Sequence, residues 1–259
     1  MNNGALQRDL MGVFTIWLRD VRRFLRDRPR MIGSLVQPTL FLVILGNGLG
    51  HGMFRGFKAG GGEGYMAFIF PGIVAMTILF TSAFSAISII WDREVGFLKE
   101  VLVAPVSRWA VTVGKVMGGA TVAMCQGCIM LLLAPVAGVS LGPSTVILLL
   151  PLMFLVAFAM TAMGIAAAAR MRSMQGFTVI MNFVVLPIFF LSGAMFPLDG
   201  LPAWMNLLVH LDPLTYGVDL LRGVVIGATD RPVWMNLVVL GGFGTGMLGL
   251  AVFAFNREG

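Results

Sequence analysis

Long uncharged stretches alternate with short charged ones along this chain, and the alternation predicts its elements. Over residues 6–28, Leu6, Leu10, Val13, Phe14, Trp17, Val21, Phe24 and Leu25 recur at three- and four-residue steps. Arg8, Arg19, Arg22, Arg23 and Arg26 fall mostly on other faces. That pattern describes an amphipathic helix lying in a membrane interface with its arginines toward phosphate headgroups. A helix packed on another protein surface fits the same periodicity. Pro29 ends the helix, because proline disfavours helical geometry in the residue before it.

A helix rises about 1.5 Å per residue and a bilayer core is about 30 Å thick, so roughly 20 apolar residues cross it. Residues 31–50, 64–91, 116–169, 174–194 and 233–255 carry no charge. The third of these is long enough for two spans, divided by the Gly and Pro residues of 138–143. Six spans follow, at 31–50, 66–90, 110–136, 144–168, 174–194 and 233–255, with Pro38 kinking the first. Residues 51–63 are glycine-rich and read as a loop. Gly242 and Gly246 stand at the spacing that lets membrane helices approach closely. The expected fold is all-α and integral to the membrane, as one domain over residues 1–259.

Composition narrows the class. Hydrophobic residues make up 58% of the chain and charged residues 12%, against about 25% charged in soluble domains. So little charge cannot cover a water-facing surface of this size. The net charge of +6 does not indicate a nucleic-acid partner, because the basic residues are segregated by position. With six spans both termini share one side. Of the 18 basic residues, 14 fall on that side, and Arg55, Lys58, Arg222 and Arg231 fall on the other. Excess Lys and Arg mark cytoplasmic loops, so both termini are expected in the cytoplasm and the chain in the cell's inner (plasma) membrane. Residues 1–30 lack the uninterrupted apolar core of a signal peptide.

Between spans 2 and 3 lies WDREVGFLKEVLVAPVSR, residues 91–108. Val95, Leu98, Val101 and Leu102 recur at helical spacing, with Arg93, Glu94, Lys99 and Glu100 between them, and Pro105 stops the pattern. Periodicity alone fits an inert loop on the membrane surface equally well. Candidate chemistry is sparse. No GxxxxGK[ST] phosphate loop, GxSxG or HExxH occurs. His210 and Asp212 are too few for a metal site. Cys125 and Cys128 share one helix face in an apolar run and read as packing residues. No charge is expected near a bilayer midplane. Lys115, the nearest case, reads as snorkelling to the headgroups. Without an intramembrane ionisable group, coupling to a proton or ion gradient is disfavoured, which leaves a membrane protein needing an external drive.

Two stretches carry a resemblance: DREVGFLKEVLVAPVSR followed by Gly114 and Lys115, and LSGAMFPLDGLPAWMNLLVHLDPLTYGVDLLRG, residues 191–223. Together they resemble the membrane subunit of ABC-2 type transporters, the exporter permeases of the daunorubicin, nodulation-factor and O-antigen types, which are related to the G-family half-transporters. The resemblance implies a coupling helix at 92–105 that meets a separate ATP-binding subunit through Arg93, Glu94, Gly96, Leu98, Glu100, Leu102 and Pro105. It implies that the helix at 6–28 touches the same subunit, and that residues 195–228 form re-entrant helices on which Asp219 and Arg222 pair. Phe97 departs from the family, which often has a small polar residue there. By analogy with the G family, Phe80, Phe84, Asn182 and Phe189 are candidates for cargo contact. The implied assembly has two permease copies, a homodimer, with two ATP-binding subunits among membrane lipids. No cofactor binds the chain directly, and ATP and magnesium sit on the partner. The implied activity is export of an amphipathic or lipid-like cargo, with an ion- or proton-driven carrier as the alternative.

Overall fold

A computed structural model of the chain describes residues 3–51, 64–94, 106–171, 173–198 and 200–257. Among these residues the structure is helical and holds no strand. Six helical stretches are long and apolar enough to cross a membrane: Met31–Leu49, Tyr65–Glu94, Arg108–Leu131, Pro143–Ala168, Met174–Leu191 and Val233–Asn256.

Helix α1 (Asn3–Arg26) lies along the start of the third crossing helix, α6 (Arg108–Leu131). Glycines on α6 permit the approach. A Cβ at Gly114 would stand 3.0 Å from the Ile16 side chain and 3.1 Å from the Val13 carbonyl, and one at Gly118 would stand 3.1 Å from Asp20. Trp17 Nε1 donates to Thr121 Oγ1 at 3.0 Å across the same seam. The apolar stripe read from periodicity is therefore divided. Val13 and Trp17 turn to α6, while Leu6, Leu10, Phe14 and Leu25 stay exposed.

The first crossing stretch is irregular. Helix α2 (Arg28–Leu40) starts after a break at Asp27 and contains the buried Pro38. Proline supplies no backbone N–H and crowds the preceding turn. The ladder re-registers as a π-turn over Phe41–Leu45 before α3 (Gly46–His51). Helix α4 (Tyr65–Ser85) is the centre of the core, its residues from Ala67 to Leu79 all buried. A turn at Ala86 separates it from α5 (Ile87–Glu94). Gly72 of α4 abuts the backbone of Ala194, where a Cβ would clash.

Helix α6 ends at Leu131, short of the expected 136, because Pro135 has no N–H to donate back to the Leu131 carbonyl and so cannot continue the α-helical ladder. A 3₁₀ turn (Ala134–Ala137) and Gly138, at φ 74°, carry the chain over to α7 (Pro143–Ala168). Helix α8 (Met174–Leu191) is capped by Ser173, whose Oγ accepts from Gly176 N. Two short helices follow, α9 (Ala203–Leu211) and α10 (Pro213–Ile226). Asp212 caps α10 by accepting from Leu214 N at 2.9 Å, with Pro213 in the first turn, where its missing N–H costs nothing. The last helix, α11 (Val233–Arg257), packs on α7.

Candidate functional site

The end of the bundle that holds α1, the end of α5, the start of α6 and the end of α11 concentrates the charge. Lys115 is 5% exposed and does not snorkel. Its ammonium lies 2.7 Å from Asp92 Oδ2 and 3.4 Å from Asp20 Oδ2, and it donates to Ser88 Oγ at 3.3 Å. Arg19 closes the group, 2.9 Å from the same Asp92 oxygen and 3.2 Å from Asp20 Oδ1. Two cations face two anions, so the charge of the group is balanced. The expectation of a snorkelling lysine fails because two carboxylates from other helices reach it first. A buried charge left alone is far costlier than a paired one.

The same end brackets residues 95–105. On the entry side, Asp92 is held by Arg19 of α1. Arg93 donates to the carbonyls of Met171 (2.6 Å) and Ala169 (3.0 Å), just past the end of α7. On the exit side, Ser107 N donates to Asp9 of α1 at 2.8 Å. Val106 rests on Gly12, where any Cβ would meet it at 2.6 Å. Arg108 then donates to the carbonyls of Phe255 (3.2 Å) and Asn256 (3.1 Å) at the end of α11. Helix α1 thus grips the chain on both sides of the segment. Of the residues assigned there to a partner contact, Glu94 is exposed and Arg93 half-buried. Gly96, Leu98, Glu100, Leu102 and Pro105 lie outside the described residues.

The four candidates for cargo contact do not converge. Phe80 and Phe84, whose rings are 6.3 Å apart, line a cavity of about 250 Å³ bounded by α1, α2, α4, α5 and α6. Asn182 is exposed on α8. Phe189 is 1% exposed and packs in the core beside Phe41, so within one chain it faces no path.

At the opposite end, Asp219 and Arg222 do not bond to each other. Asp219 accepts from Asp230 N (2.8 Å), Arg231 N (3.1 Å) and Asn236 Nδ2 (2.6 Å), tying α10 to the entry of α11. Arg222 lies over the Phe68 ring at 4.0 Å and donates to the Gly193 carbonyl at 2.7 Å. Their i, i+3 spacing permits a pair, but backbone groups buried beside each side chain outcompete it. Burial lowers the Arg222 pKa to about 10, with Asp230 and Asp219 opposing the shift, so it stays charged at neutral pH. Burial raises the Asp212 carboxyl to about 7, against the opposing hydrogen bond from Leu214 N.

Periodicity alone missed Asp9, Arg19, Asp20 and Asp92 as a working group. One signal was available. A lysine beside a 54-residue uncharged run (116–169) needs an anion nearby, and Asp92 is the acidic residue directly before the preceding charged loop.

Comparison with known proteins agrees with this architecture. The family model described as ABC-2 type transporter matches residues 11–226, from α1 through α10. A putative transport permease, ycf38 of Cyanophora paradoxa, is 29% identical over 201 residues, covering 76% of this chain and 69% of that protein. Nodulation protein J of Rhizobium leguminosarum bv. trifolii is 29% identical over 199 residues, covering 76% and 74%. The inner membrane transport permease YadH of Escherichia coli K12 is 27% identical over 235 residues, covering 87% of each. With six helices among the described residues long and apolar enough to cross a membrane and a family match over most of its length, the chain is a multi-pass membrane transport permease that belongs to the ABC-2 type transporter family.

Proposed function

We propose that the chain is the membrane half of an ATP-driven exporter whose energy comes from a separate ATP-binding subunit. Family membership implies that partner, and the chain has no phosphate loop of its own. In this reading both termini are cytoplasmic, residues 92–105 form the coupling helix, α1 lies in the membrane interface against the same subunit, and α9 and α10 form re-entrant helices that cap the outer end. Two copies of the permease, with two ATP-binding subunits, enclose a path for an amphipathic or lipid-like cargo. The relative named inner membrane transport permease supports placement in the plasma membrane.

One observation carries the reading. Asp9 and Arg19 of α1 hold the chain immediately after and before residues 95–105, so a push on that segment reaches α1, α5 and α6 together. Movement driven by ATP binding then shifts the crossing helices as packed bodies. Purified alone, the chain hydrolyses no ATP. With its ATP-binding subunit in proteoliposomes it supports cargo-sensitive hydrolysis, which Glu94→Ala and Leu98→Asp reduce. Unchanged hydrolysis and assembly in both variants would refute the coupling role.

The buried ionic group revives the gradient-driven alternative, since ionisable groups within membrane proteins commonly bind coupling ions. Its charge balance favours a clamp, because every charge already has a protein partner. A pH or sodium gradient that drove transport without any ATP-binding subunit would reverse that preference.

A further inference from the structure

The arginines of α1 do not share one role. Arg19 is committed to the buried ionic group. Arg22, Arg23 and Arg26 are exposed and form no ion pair among the described residues. With Thr15, Leu18 and Arg19 they line an open groove of about 490 Å³ along one face of α1. Neither the ionic group nor the grip on residues 95–105 uses them.

Their chemistry selects an anion. Residues four apart on a helix stand about 5–6 Å apart on one face, so Arg22 and Arg26 can hold one group between them. A guanidinium presents paired N–H donors that match the oxygens of a phosphate. No carboxylate is among the described residues lining the groove, so nothing there holds an ammonium or repels a net negative charge.

Position selects the source of that anion. The first half of α1 lies beside the charged segment, where Asp9 accepts from Ser107 N and Gly12 faces Val106. The second half lies further along α6. Asp20 faces Gly118, where a Cβ would stand 3.1 Å from it, and the Met31 carbonyl accepts from Gln126 Nε2 at 2.7 Å. Arg22, Arg23 and Arg26 fall between these two anchors, beyond the level of Gly118 and so about 15 Å or more along the axis from the start of α6 at Arg108. A subunit docked on residues 95–105 sits at the other end of that distance. The first stretch able to cross a membrane starts at Met31, little more than one turn after Arg26, which is the depth of phospholipid headgroups. Beyond it Ile32, Val36 and Leu40 are exposed along one face of α2, an apolar track for acyl chains.

We infer that the groove on the second half of α1 binds the headgroup of an anionic membrane phospholipid, with Arg22 and Arg26 on the phosphate, Arg23 beside it, and the acyl chains along α2. Only this half of α1 meets headgroups, while the first half stays with the charged segment. Assignment to the cytoplasmic leaflet rests on the proposed orientation. The binding itself does not, and it needs neither a second permease nor an ATP-binding subunit.

Native mass spectrometry tests it on the delipidated full-length chain in mild detergent, titrated with phosphatidylglycerol or with phosphatidylethanolamine of matched acyl chains. Phosphatidylglycerol is expected to bind more tightly. One arginine near an anionic lipid surface is worth about fivefold in affinity, so Arg22→Gln with Arg26→Gln weakens phosphatidylglycerol about 25-fold. Arg8→Gln with Arg170→Gln removes the same charge from exposed positions outside the groove and leaves binding unchanged. Equal weakening by the two pairs would overturn the inference, since net charge alone would explain it. Equal affinity for the two lipids would overturn it as well. Competition by soluble glycerol phosphate at the lipid's own affinity would overturn the assignment to lipid. Unchanged lipid binding in the Arg22→Gln and Arg26→Gln pair, with loss of co-purification with the ATP-binding subunit, would give the groove to that subunit instead.

Discussion

The two ends of the bundle satisfy buried charge in opposite ways. At the end bearing the termini, Lys115 and Arg19 are neutralised by Asp92 and Asp20, side chain to side chain, from three different helices. At the other end, Asp219 and Arg222 ignore each other, and each is satisfied mainly by backbone groups or an amide. Ion pairs between helices link bodies that move together while tolerating small shifts in geometry. A carboxylate collecting two backbone N–H groups and an amide fixes one loop in one place. In the proposed reading, the first end transmits displacement and the second holds the outer cap still.

The contrast breaks most sharply at Asp92. Replacing it with alanine leaves Lys115 buried with only the longer contacts to Asp20 and Ser88 and removes the near partner of Arg19. Breaking such a pair costs about 3–5 kcal/mol, so Asp92→Ala is expected to show a large drop in thermal unfolding temperature in detergent. Pairing Asp92→Leu with Lys115→Met recovers much of the loss, because both charges leave together. A smaller effect is expected at the opposite end. Asp219→Ala leaves Asn236 and two backbone N–H groups without their acceptor, a loss of about 2–3 kcal/mol. Asp219→Asn retains part of it. Should the paired neutralisation rescue fail, the ion group would be more than a charge-balanced clamp.

The smallest effect concerns pH. Burial raises the Asp212 carboxyl to about 7, whereas an unfolded aspartate titrates near about 3.9. Between those values the folded chain keeps a proton that the unfolded chain has released. Stability is therefore full below about pH 4 and falls as pH rises toward 7. Asp212→Asn flattens that slope, which thermal unfolding across pH 4–8 measures.

Hydropathy made the six crossing helices legible, because a membrane demands long uncharged runs and the chain has them. Helix ends were less so. Pro135 stops α6 before the apolar run ends, a local loss of a backbone donor that hydropathy does not see. The apolar stripe of α1 was visible, but its division was not, since only the small residues of α6 show which half is covered. Lys115 was misplaced because its partners Asp20 and Asp92 lie 95 and 23 residues away along the chain. Asp219 and Arg222 erred the other way. Nearness in sequence suggested a pair, and the backbone of the Asp230–Arg231 turn took the carboxylate instead.

Cross-linking tests the central account most directly. Cys125 and Cys128 are first replaced by alanine, and a single cysteine is then placed at Leu98 or, at the opposite end, at Leu207. Native membranes containing the ATP-binding subunit are treated with a short bifunctional thiol–amine reagent. Leu98→Cys is expected to join the permease to the ATP-binding subunit, with a yield that changes when ATP is added, and Leu207→Cys to give no such product. A cross-link from position 207 and none from 98 would contradict both the orientation and the drive proposed for this permease.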